Sequence, residues 1–196
     1  MSNVASFDIY NDPLEHVCDV ALPRFQGRFS PSSVFREGAV INGIKVRRVG
    51  DEFMKLYLPI PFISPKALKS TPEIPESILP CWKTKRPVYD SDLFYTWIGT
   101  EKKTTDLVRI FQMMNLGHDT LSLMRGCANF AFVVPVLSKA PRVVYWNLYL
   151  GEWHIHAIPG PVDDIGMVRK RSRLPQGVYV FGGVPDRFPD EKSPTF

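Results

Sequence analysis

Cysteine is scarce in this chain of 196 residues: Cys18, Cys81 and Cys127 form an odd, widely spaced set with no Cys-x-x-Cys pair. Such spacing argues against a disulfide framework and against a zinc ribbon, and predicts three buried or half-buried thiols in a reducing compartment. Lysine and arginine are missing from the first twenty positions, which carry Asp8, Asp12, Glu15 and Asp19. A secretory leader needs a basic start and an apolar stretch, so these residues predict an intracellular chain that is not secreted. Long apolar runs are missing too; Phe130–Leu137 is among the longest, far below the roughly 18 residues that span a bilayer. No Asn-x-Ser/Thr sequon occurs, and Ser2 stands where N-myristoylation requires glycine.

Catalytic signatures are equally sparse. There is no Gly-x-Ser-x-Gly elbow, and Gly182-Gly183 is not followed by the Lys-Ser/Thr of a phosphate-cradling loop. Asp163-Asp164 reads as a turn. These absences point to a non-enzymatic protein with no cofactor and no small-molecule substrate.

What is present is ordinary globular composition, 44% hydrophobic and 22% charged, with a net charge of +4. The positive charge is clustered: Lys45, Arg47 and Arg48; Lys83, Lys85 and Arg86; Lys102 and Lys103; and, most densely, Arg169, Lys170, Arg171 and Arg173. Clusters of this kind either coat a solvated surface or meet phosphate, in nucleic acid or at an anionic membrane face.

The pattern predicts an α+β fold: a mostly antiparallel β-sheet with one or two helices packed on a face. Residues 1–38 read as an irregular, proline-containing N-terminal arm, and residues 39–196 as a single globular domain. Asn42-Gly43 between β-branched residues predicts a hairpin over Ala39–Val46. Alternation at Met54, Leu56, Leu58 and Ile60 predicts a strand over Phe53–Ile60. The prolines from Pro65 to Pro87 predict a long ordered loop over 64–87. Leu107, Ile110, Phe111 and Met114 form one stripe of a helix over Thr105–Leu116, ended by Gly117, with a second helix over Asp119–Arg125. Met113 and Met114 read as core filler. Beyond Asn129, strands are expected over Phe130–Leu137, Arg142–Leu150, Glu152–Ile158 and Gly177–Phe181, with a tight turn at Leu150-Gly151-Glu152.

Two features bear on chemistry. In a strand, His154 and His156 share a face about 7 Å apart, a spacing that can hold zinc or iron if Glu152, His118, Asp163 or Asp164 joins them. The plainer reading is two polar-face histidines on a hairpin. The basic clusters, with Trp82, Tyr179 and Phe181 nearby, could combine phosphate contact with base stacking.

Trp97-Ile98-Gly99, a basic turn and then Val108-Arg109-Ile110-Phe111 resemble a segment of rhabdovirus matrix proteins, as does Asn147-Leu148-Tyr149-Leu150-Gly151-Glu152 leading into His154–Ile158. Leu58-Pro59-Ile60-Pro61-Phe62-Ile63-Ser64 is similar to a stretch of the bornavirus matrix protein. Neither a Pro-Pro-x-Tyr nor a Pro-Thr-Ala-Pro late motif accompanies them. The resemblance implies a virion assembly protein that self-associates into a homo-oligomer, binds the viral nucleocapsid or RNA, and lines an anionic membrane surface. In that reading Lys102, Lys103, Arg169, Lys170, Arg171 and Arg173 contact phosphate. The alternatives are a nucleic-acid-binding accessory protein using the same clusters, and a small metal-dependent enzyme around His154 and His156.

Overall fold

A computed structural model describes residues 13–27, 29–58, 74–89, 93, 105–120, 128–133, 142–158 and 173–182. Its elements are β1 (Leu14–Leu22), α1 (Pro31–Val34), β2 (Val40–Ile41), β3 (Ile44–Val49), α2 (Asp51–Tyr57), β4 (Ser77–Thr84), β5 (Val88–Tyr89), α3 (Leu107–Thr120), β6 (Asn129–Val133), β7 (Arg142–Tyr149), β8 (Glu152–Ala157), β9 (Arg173–Leu174) and β10 (Tyr179–Phe181). The class is α+β, as the pattern predicts.

One eight-stranded sheet runs β1-β4-β10-β6-β7-β8-β3-β2, and a two-stranded sheet pairs β5 with β9. The pairs β10–β6 and β3–β8 are parallel, and the other neighbours are antiparallel. Both expected tight turns form. Asn42 and Gly43 have φ of 51° and 74°, and Leu150 and Gly151 have 51° and 77°. Positive φ at both central positions is the turn whose twist matches the strands it joins.

Alternation then divides the sheet. On one face Val144 and Trp146 of β7, Trp153 and Ile155 of β8 and Val46 of β3 join Phe53 and Tyr57 of α2 and Ile110, Met113 and Met114 of α3 in the larger core. Trp146 and Trp153 are fully buried, and the Trp153 indole N–H donates to the Ile41 carbonyl at 3.2 Å, tying the end of the sheet together. Burial of each large side chain contributes about 2–3 kcal/mol. On the opposite face a smaller core gathers Phe130, Phe132, Val143, Val178 and Val180 under Val88 of β5 and Leu174 of β9. The small sheet thus covers part of this face, at the β10–β6 side.

Four expectations are corrected. The arm is not irregular throughout, because Leu14–Leu22 is the edge strand of the main sheet, its Leu14, Val20 and Leu22 buried. Residues 51–57 form a helix rather than a strand: Asp51 and Glu52 suit its positive N-terminus and Lys55 its last turn, and the buried pair is Phe53 and Tyr57, four apart, while Met54 is 39% exposed. The proline-punctuated stretch contains β4, where Pro80 stands opposite Asp19 of β1 and its carbonyl accepts from the Gly182 N–H at 3.2 Å. Helix α3 runs past Gly117 to Thr120, and its cap is Asp106, whose Oδ1 accepts from the Arg109 N–H at 2.8 Å. Met113 and Met114 are core residues, as expected. The remainder of the helix expected over Asp119–Arg125 lies outside the described residues. Among the described residues no helix is long and apolar enough to cross a membrane.

Candidate nucleic-acid interface

The hairpin β7–β8 sets the site. Its two-residue turn fixes a register in which Tyr145 faces His156, Asn147 faces His154 and Tyr149 faces Glu152. Because Val144, Trp146, Trp153 and Ile155 point into the larger core, these partners all lie on the other face.

Their rings form a continuous ladder. Phe130 of β6 lies 5.6 Å from Tyr145, centroid to centroid; Tyr145 stacks on His156 at 4.9 Å and 16°; His156 lies 6.5 Å from His154 at 29°. Tyr149 meets His154 edge-on at 5.7 Å and 85°. The series begins in the smaller core, with Phe130 only 5% exposed, and reaches solvent at Tyr149, 59% exposed, with Tyr145, His154 and His156 half-buried between.

Positive charge flanks the ladder along β3. Arg48 stands opposite His154 across the parallel pairing, and its charge acts on both Tyr145 and His156. The irregular register between Val46 and Arg48 leaves Arg47 and Arg48 both exposed, and Lys45 is exposed as well. Arg47 also approaches Glu152 at 3.8 Å, a solvent-exposed pair.

Burial, then Arg48, then His154 hold the His156 imidazole below its usual range. Burial pushes the Tyr145 phenol up, with Arg48 opposing. Near neutral pH both groups are therefore uncharged, flat and polarisable. Half-buried His154 and exposed Tyr149 bring the outer end of the series to solvent beside the exposed arginines.

Other expected site residues fall differently. Lys102, Lys103, Arg169, Lys170 and Arg171 lie outside the described residues. Arg173 is exposed on β9 opposite Tyr89, on the small sheet that shares this side of the molecule. Tyr179 and Phe181 are core residues and offer no stacking surface, and Lys83 lies over the Tyr179 ring at 5.7 Å. Trp82 is half-buried, with His16 edge-on at 5.0 Å. Arg109, not an expected site residue but part of the motif of the matrix resemblance, is buried, donating to Gln112 at 3.0 Å and to the Pro75 carbonyl, so it braces the interior.

The metal alternative finds no ligand set among the described residues, where no three His, Cys, Asp or Glu side chains converge. Glu152 is drawn to Arg47, and the His118 side chain, Asp163 and Asp164 are not among those described.

The sequence reading did not single out Tyr145 and Tyr149. The signal that finds them is the hairpin register itself: with Leu150-Gly151 as a two-residue turn, Tyr145, Asn147 and Tyr149 must share the face of His154 and His156. In comparisons with known proteins, no family model matches the chain, and neither a curated protein nor a solved structure matches it.

Proposed function

We propose that the chain is a non-enzymatic protein that binds single-stranded nucleic acid, RNA above all, on the sheet face formed by β7, β8 and β3. The observation that carries this reading is the ring series Tyr145–His156–His154–Tyr149 beside Arg48. Bases have apolar faces and stack on aromatic rings with little regard to sequence, each contributing about 1–3 kcal/mol. Arg47, Arg48 and Lys45 would meet the phosphates, releasing counterions and making affinity fall with salt. A duplex hides its bases, so the ladder favours single strands.

The assembly role implied by the matrix resemblance would use such a face on the nucleocapsid. Lys102, Lys103, Arg169, Lys170, Arg171 and Arg173 would add further phosphate contacts, to RNA or to lipid.

The test is fluorescence anisotropy with labelled single-stranded RNA, single-stranded DNA and RNA duplex across a salt series, with flotation on phosphatidylserine vesicles in parallel. Single strands should bind more tightly than duplex. Tyr145→Ala and His154→Ala should each weaken binding about fivefold or more, and Arg48→Glu should flatten the salt dependence. Equal binding of duplex and single strand, unaffected by ladder substitutions, would sink the proposal. Vesicle binding without RNA binding would favour a membrane-lining role instead.

A further inference from the structure

Cys18 of β1 stands directly opposite Cys81 of β4 in the antiparallel register, and the two thiols are in side-chain hydrogen-bond contact. Both are free. Opposed residues on antiparallel strands have Cα atoms about 4.5–5.5 Å apart, inside the window of about 4.4–6.8 Å that a disulfide spans. Neither strand needs to move far for the bond to form.

We propose that Cys18 and Cys81 form a reversible dithiol–disulfide site whose oxidant is a low-molecular-weight disulfide such as oxidised glutathione. The proposal is independent of the ring ladder. Exposure sets the order of events: Cys18 is half-buried, whereas Cys81 is fully buried. The Cys18 thiolate attacks one sulfur of the oxidant, releasing one glutathione thiolate, which takes up a proton, and forming a mixed disulfide. The Cys81 thiol then loses its proton and attacks the Cys18 sulfur, expelling the second glutathione. Two protein thiols are oxidised to one disulfide, and one external disulfide is reduced to two thiols. Burial pushes both thiols up from their ordinary values, so the exchange is slow near neutrality and accelerates with rising pH.

The position gives the bond a consequence. Among the described residues β1 is the outermost strand and β4 its one strand neighbour, with an irregular register between His16 and Cys18. A bond at this point would staple the edge strand to the sheet beside its weakest register, and it would close a long loop of chain.

The experiment uses the full chain carrying Cys127→Ser, with the wild-type chain in parallel, incubated with oxidised glutathione at mildly alkaline pH. Peptide mapping should find Cys18 linked to Cys81, with the loss of two hydrogens. Tm should rise by roughly 5–10 °C, amide exchange in Leu14–Leu22 should slow, and dithiothreitol should reverse all three. The Cys81→Ser variant should stop at a glutathione adduct on Cys18. An adduct persisting on Cys18 when Cys81 is present, or no modification of the folded chain under conditions that oxidise the denatured one, would overturn the proposal.

Discussion

Gly50 leaves room for His156: a Cβ placed on it would lie 2.6 Å from the imidazole Nδ1. The Gly50 N–H also donates to the Ile155 carbonyl at 2.9 Å, so the backbone cannot easily withdraw. Its φ of −69° suits any residue, so what forbids a side chain here is space and not backbone strain. The His156 ring can lie flat on Tyr145 only while this position stays bare.

Gly50→Ala should therefore push the imidazole off Tyr145 and cost about 1–3 kcal/mol of stability. Denaturant unfolding measures the cost, and RNA affinity should fall with it. An alanine variant as stable as the parent, with His156 resonances unmoved, would show that the ladder does not depend on a bare position at Gly50.

The His156 pKa gives stability a pH dependence of definite sign. Its folded value is depressed, by burial first and then by Arg48 and His154. Above the ordinary imidazole value of about 6.5 both folded and unfolded chains carry it neutral. As pH falls below that value, the unfolded chain takes up the proton first, and stability is lost down through the folded pKa. His156→Gln should flatten this part of the stability curve, measured by urea titration between pH 7.5 and 5. An unchanged slope would assign the effect to other groups.

Leu150 occupies a left-handed position, φ 51°, while 84% exposed. A branched apolar side chain there costs about 1 kcal/mol, whereas asparagine tolerates the conformation. Leu150→Asn should raise stability by about that amount in thermal unfolding. A loss of stability instead would mean that Leu150 makes contacts that outweigh the strain.

The α3 cap can be tested in the same way. Asp106→Ala removes the acceptor for the Arg109 N–H and should cost about 1 kcal/mol. Asp106→Asn should recover most of it, because the amide oxygen still accepts. Equal losses in both variants would assign the effect to charge rather than to the cap.

Much of the sheet was legible where local chemistry decides the outcome. Asn42-Gly43 and Leu150-Gly151 announce their turns, and the strands beyond Asn129 follow from alternation and β-branched residues. The misreadings came where two periods compete. The sequence alternates like a strand over Phe53–Ile60, yet Phe53 and Tyr57 also fit one helical face, and packing on β8 decides for a helix over 51–57. Pro80 argued against a strand, but a missing N–H leaves the carbonyl free to accept from Gly182. Of the candidate site, His154 and His156 were visible as a pair. The ring ladder was not, because it joins β6, β7 and β8, and only the register shows that Phe130, Tyr145 and His156 stand in line.

The most direct test of the ladder as a stacking surface is histidine ring NMR during titration with a short single-stranded RNA. The account predicts upfield ring-current shifts at His154 and His156, saturating with the anisotropy isotherm, while His16 on the far edge strand stays unmoved. RNA that binds with equal affinity yet leaves the His154 and His156 resonances where they were would contradict it, and would move the interface to the basic clusters alone.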